Sequence, residues 1–381
     1  MKISLLPTAL ALALTAAQTF GQGSLTPPPG PPAPTMKTLD QIEARTIVNA
    51  ANTPGNAANT FIIAAPGSYY LIGNLTGEAG KHGISIEASD VTLDLNGFTL
   101  TSGGGADLRG VFVPAVQKNF TIRNGTVRGW TGGGVRAESV RGVLAEKLRL
   151  SDNTGSIGIY VGLGSLIKDC VANANGTGFR TPDRCQVINC ISTENTADGF
   201  EVTAYVSLLD CTASRNAGYG FRAGGSNSLA RCSATRNELG GILAEAACSI
   251  SECLANTNVG DGISANEANI QRSMATSNTR DGIVSALGNV TACVGSRNGR
   301  NGISGFGISV GDSMAHTNGK SGIIAISGGV RNCTAISNGD DGISSEGVIA
   351  FCRANLNNAN NNGSLDINGS GATRTGNRPA P

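Results

Sequence analysis

The sequence predicts an all-β chain wound as a single right-handed parallel β-helix, a solenoid of about 14 coils with 20–21 residues per coil over its C-terminal two-thirds. Three observations lead there. A Gly followed by Ile or Phe recurs at Gly158, Gly178, Gly199, Gly220, Gly241, Gly262, Gly282, Gly302, Gly322 and Gly342, each 20 or 21 residues after the last. Two further columns keep that register. Asn stands four residues before the Gly from Asn195 to Asn338, and Cys stands nine before it at Cys190, Cys211, Cys232, Cys253, Cys293 and Cys333, with Ser273 and Ser313 filling the gaps. Composition agrees: 4% aromatic residues and 54 glycines suit short strands and tight turns.

Each column has a physical reading. A period near 20 is too short for a solenoid of helical hairpins, which needs about 33 residues or more. If one period is one coil, equivalent residues stack at the strand spacing of about 4.8 Å. The branched aliphatics three before the Cys slot (Val187, Leu208, Leu229, Ile250, Ile270, Val290) then fill the interior. Stacked Asn amides bond from coil to coil. The recurring Gly is expected to turn the chain with positive φ. From Cys190 onward the arm from Cys to Gly is constant while the other arm varies by a residue, so insertions collect in one corner.

The N-terminal third is organised differently. Residues 1–23 read as a signal peptide, with Lys2 before an apolar run too short for the ~20 residues that span a membrane. Residues 24–36 form a Pro-rich linker and 37–60 an N-terminal cap segment with a short helical turn. The β-helix is assigned to 61–368 and a tail to 369–381. A secreted, periplasmic or cell-surface location follows, with no transmembrane segment in the mature chain. Gly83-Ile84, Gly110-Val111 and Gly134-Val135 extend the repeat upstream at looser spacing, and Val91, Leu93 and Leu95 alternate as in a strand.

With the stretch GSYYLIGNL…GKHGISIEASDVTLDLNGFTL and the N-x-x-x-G-[IF] coils behind it, the chain resembles the pectate-lyase-like right-handed β-helix superfamily, most closely its exported bacterial repeat members. The resemblance covers roughly residues 61–368. It implies the fold, and a range of functions that includes lyases, glycosidases, tailspikes, adhesins and epimerases. The lyases of that superfamily pair acidic Ca²⁺ ligands with an Arg base, a set without residue-by-residue counterparts here. Ca²⁺ therefore belongs to the lyase alternative alone, and no other cofactor or metal is expected.

Ten cysteines in an exported chain invite disulfides, but stacked cysteines have parallel Cβ vectors, and a reduced ladder of small buried thiols fits the Ser substitutions. Cys185 and Cys248 lie off the column and are the candidates for any pairing. For ligand binding, Asp261 and Asp281 precede the Gly, where Asp serves turns as readily as chemistry, and neighbouring coils give the spacing of a retaining carboxylate pair. Arg280 and Arg300 stack one residue earlier and suit carboxylate ligands. Arg123, Arg128, Trp130 and Arg136 cluster in sequence, with Trp130, the single tryptophan, offered as a sugar-stacking platform or as packing under a loop. The Ser/Thr positions beside the Ala column are too irregular for an ice-binding array. A net charge of +1 gives no basic stripe for nucleic acid. The expectation is a protein that recognises polysaccharide or another extended ligand along one face, with a polysaccharide lyase or glycoside hydrolase, or a structural scaffold, as alternatives.

Overall fold

The computed structural model describes residues 43–360 and 366–369, with the backbone of the strands Arg374–Thr375 and Arg378–Pro379. The expected signal peptide and linker, most of the expected helical turn and much of the expected tail lie outside the described residues. From Arg45 onward the chain is one compact unit.

Among the described residues every regular element is a strand. Sheet 1 takes one strand from each coil, 15 in all, from Asn59–Ile63 to Ile367–Asn368. Sheet 2 has 29 strands, mostly two per coil. All strand pairings are parallel, each strand bonding to its counterpart one coil away (Phe200↔Phe221, Leu208↔Leu229, Ala213↔Ala234). The count is thus 15 coils against an expected 14 or so. Thr46–Ile47, inside the segment read as a cap, already pairs with Gly67–Tyr70 in sheet 2. Among the described residues no helix is long and apolar enough to cross a membrane.

The aliphatic column fills the interior as its register requires, Val187, Leu208, Leu229 and Ile250 all being fully buried. Phe179, Phe200 and Phe221 stack with ring centroids 4.8 Å apart, one strand spacing.

Three corners per coil join the strands, and most turn through a non-glycine residue with positive φ: Asp210, Arg215 and Ser226, then Arg231, Arg236 and Ala247 one coil on. Such a residue costs about 1–2 kcal/mol. The ladder offsets this by continuing around the bend, since Asp210, Arg215 and Ser226 donate their N–H groups to Ala230, Thr235 and Ala246 of the next coil. At many of these bends the N–H of the next residue is accepted by a side chain of the following coil. Asn237 N–H donates to Asn258 Oδ1 at 3.0 Å, Cys253 and Cys293 N–H donate to Ser273 and Ser313 Oγ at 3.1 Å, and Val206 N–H donates to Asn227 Oδ1 at 2.7 Å. The Cys slot is therefore a hydrogen-bonding slot, which is why Ser replaces Cys there. Thiols serve alike: Cys185 Sγ accepts from Ser165 N–H and donates to Gly162 O.

One expectation is corrected. The recurring glycines lack positive φ. At Gly302 a Cβ would sit 2.6 Å from Asn318 Nδ2, 2.7 Å from Gly322 O and 2.8 Å from Ala315 Cβ, so the residue is glycine because adjacent coils and the Asn ladder crowd it. The reduced ladder stands, all ten cysteines being buried thiols outside any disulfide. Cys185 and Cys248 share one corner column but have Val206 and Asn227 between them, too many coils apart to join.

Candidate functional site: the outer face of sheet 1

Strand alternation in sheet 1 sends the Ile or Phe after each Gly inward and the next residue outward. Parallel register stacks those outward residues as Phe112, Arg136, Tyr160, Arg180, Glu201 and Arg222. Beyond Arg222 the column becomes Leu243, Ser264, Val284, Ser304, Ile324 and Ser344. Charged and aromatic groups are thus gathered on the outer face over the early and middle coils.

The groups form a connected strip. The guanidinium carbons of Arg136 and Arg180 each lie 5.6 Å from the centre of the Tyr160 ring, one from either neighbouring coil. Arg136 Nη2 donates to Glu138 Oε1 at 2.7 Å, and its Nη1 to Gly132 O. Arg180 Nη2 donates to Glu201 Oε1 at 2.6 Å. Beside them Arg136, Ser156, Thr177, Arg180 and Thr196 line an open depression of about 420 Å³. Asp198 sits at the edge of the strip, mostly buried. Its Oδ1 accepts Tyr219 N–H at 2.7 Å, and its Oδ2 lies 3.8 Å from Arg222 Nη1. Burial raises its pKa above the ordinary Asp value, with the Tyr219 N–H and Arg222 opposing. At the N-terminal end His82 Nδ1 accepts Arg109 N–H at 3.1 Å, and its ring tilts against Phe112 at 4.6 Å. Burial first, and the Arg109 charge second, lower its pKa.

Of the residues singled out in the sequence, only Arg136 joins this strip. Trp130 is fully buried, its Nε1 donating to Leu100 O at 3.3 Å and its N–H to Asn153 Oδ1, so the packing alternative holds and no stacking platform exists there. Arg123 lies on sheet 2, where Nε contacts Asp94 at 3.0 Å within a network shared with Arg45 and Asn124. Arg128, also on sheet 2, pairs with Asp152 at 3.3 Å. Asp261 and Asp281 serve the backbone. Asp261 Oδ1 accepts Asp281 N–H, and Asp281 Oδ1 accepts Asn301 N–H at 2.8 Å. Asn301 Oδ1 continues the series by accepting Ser321 N–H, so this is a turn ladder. Arg280 pairs with Asp261 at 3.5 Å, and Arg300 follows it along the corner, its N–H bonded to Arg280 O. Among the described residues no three His, Cys, Asp or Glu side chains cluster as a metal site.

Tyr160, Arg180 and Glu201 were not singled out in the sequence, whereas Asp198 stands in the Asp column before the repeat Gly with Asp261 and Asp281. The signal was available, since the first three each stand two residues after a repeat Gly. Arg recurs in the column only in alternate coils, at Arg136, Arg180 and Arg222, so a search for the same residue in successive coils passes over it.

This winding defines a right-handed parallel β-helix protein. Residues 60–207 match the family described as the right handed beta helix region. Among solved structures the chain is similar to the mannuronan C-5 epimerase AlgE6 A-module of Azotobacter vinelandii, at 16% identity and a TM-score of 0.46 over 84% of this chain and 92% of that one. It is similar too to the Dettilon tailspike protein, at 14% identity and a TM-score of 0.39 over 82% and 61%. A third is the catalytic unit of the GH87 α-1,3-glucanase of Streptomyces thermodiastaticus, at 13% identity and 0.38 over 82% and 63%. Comparison with curated proteins finds no match.

Proposed function

We propose that the protein is an exported polysaccharide-binding β-helix whose ligand lies along the outer face of sheet 1, centred on Tyr160. The observation that carries this reading is the unbroken strip Arg136–Tyr160–Arg180–Glu201–Arg222, in register over successive coils beside an open depression. Guanidinium–carboxylate pairs with remaining donors and acceptors at the surface suit the hydroxyl groups of sugars, and an open face suits a chain longer than its site. Retardation of the protein in gels containing neutral or acidic polysaccharides tests it. Tyr160→Ala and Arg180→Ala are expected to remove the retardation by the ligand while leaving the far-UV spectrum unchanged. Unchanged retardation in both variants would move the site elsewhere.

A lyase or hydrolase reading is favoured by one observation, the burial of the Asp198 carboxyl 3.8 Å from Arg222 at the edge of the same strip, which pushes its pKa up. It predicts product release from a retarded polysaccharide, measured as reducing ends and unsaturated-product absorbance with and without Ca²⁺, and lost in Asp198→Asn. Binding without product leaves recognition as the function.

A further inference from the structure

The outer surface of sheet 2 carries a separate depression with its own chemistry. Strands Phe120–Arg128 and Leu144–Ser151 run side by side there, with Thr126 opposite Arg149 and Arg128 opposite Ser151. The next coil places Val171 beside Arg149 and Asn173 beside Ser151. Alternation turns these residues outward, and with Thr99 they line a cavity of about 500 Å³. The two guanidiniums stand diagonally on adjacent coils, surrounded by the hydroxyl and amide groups of Thr126, Ser151 and Asn173.

Charge is unevenly answered in this cavity. Asp152 Oδ2 lies 3.3 Å from Arg128 Nη2, whereas Arg149 is exposed and meets no carboxylate among the described residues. Of the acids on the following coils, Asp169 accepts Asn189 Nδ2 at 2.7 Å, and Glu194 is held by Arg215 at 3.5 Å and by Asn173 Nδ2 at 3.4 Å. Along the same strands, the outward positions from Val171 and Asn173 to Met314 and His316 hold no Asp, Glu, Lys or Arg. An anion entering the depression therefore meets a guanidinium without a carboxylate partner and a second beside it, and a chain continuing from coil to coil across these strands meets no like charge at the outward positions.

We propose that the depression at Arg128 and Arg149 is a second glycan site, one that takes a sugar unit bearing a carboxylate or a sulfate. Arg149 supplies the planar fork that such a group accepts in two parallel hydrogen bonds, and the neighbouring Thr, Ser and Asn groups take the ring hydroxyls. The site lies on a different sheet from Tyr160 and does not depend on the reading of sheet 1.

The test is affinity electrophoresis of the full chain in alginate and polygalacturonate, which carry carboxylates, and in dextran sulfate. Arg149→Ala should weaken retention by at least one of these about tenfold, the loss of one charge-assisted contact, with partial recovery in Arg149→Lys. Ser151→Leu, which fills the depression and keeps both charges, should act in the same direction. Which polymer responds identifies the anion. Arg149→Ala should retain whatever glycan Arg180→Ala releases. Three outcomes would overturn the proposal: no retention of any acidic polymer, retention in Arg149→Ala equal to the parent, or Arg149→Ala and Arg180→Ala losing the same glycan in parallel.

Discussion

Asn258 shows what one side chain does in this molecule. Its Oδ1 accepts the backbone N–H and the Nδ2 of Asn237, and its Nδ2 donates to Ala234 O and to Asn278 Oδ1. All of this happens out of contact with water, so Asn258→Ala leaves several buried groups unpaired and should cost about 2–4 kcal/mol, read from urea unfolding. Cys211→Ser should change stability by less than about 1 kcal/mol in the same measurement, because a hydroxyl already fills that slot at Ser273 and Ser313. Asp198 allows a pH test. Its folded pKa lies above the ordinary 3.8, so ionisation penalises the fold. The penalty is absent below the unfolded pKa and sets in as pH rises through the folded pKa. Asp198→Asn, which keeps the acceptor for Tyr219 N–H as Asn301 does for Ser321, should be more stable than the parent at pH 7 and indistinguishable at pH 3. Equal stability at pH 7 would remove the burial argument for Asp198.

At the scale of the strand and its corner, legibility depended on whether a position repeats its residue. Interior and ladder positions face the same geometry in every coil, so Leu208, Asn237 and Cys211 belong to columns that can be read directly. Outward positions answer only to solvent and ligand. Arg136, Tyr160 and Arg180 share one column but no residue type in successive coils, and so left no coil-to-coil trace. The Asp261–Asp281 column repeats because it satisfies backbone N–H groups, and repetition drew attention to a structural role. Trp130 belongs to the irregular early coils, where no column told an inward from an outward position. The crowding at the repeat Gly is another property of the element. Gly302→Ala should destabilise by about 3 kcal/mol or more, since backbone of the next coil and the Asn318 amide must both shift. A loss below 1 kcal/mol would show that the coils separate easily there.

From Arg45 onward the described residues form a stack in which each coil touches chiefly its neighbours, so the stability of that unit is close to a sum over coils and interfaces. Deleting residues 262–281 removes one complete period and joins Asp261 to Gly282, the same dipeptide that Asp261 and Gly262 make in the parent. The shortened chain is expected to fold with an unchanged β spectrum and a modestly lower Tm. Deleting residues 262–271 instead shifts every later strand by half a coil and should abolish cooperative unfolding. Similar behaviour of the two deletions in thermal denaturation would contradict the nearest-neighbour picture.

The Asn ladder also has a polarity. Because each Oδ1 must face the N–H of the coil before it, every amide from Asn153 to Asn357 points the same way, with its NH₂ group toward the C-terminal end. The line starts where Asn153 Oδ1 accepts Trp130 N–H and ends where Asn357 donates to the Asp366 carboxylate at 2.7 Å. A column of parallel amide dipoles is thereby closed by a donor at its negative pole and an acid at its positive pole. The two ends of the stack are chemically unlike, and a lengthened or shortened version must keep the donor first and the carboxylate last.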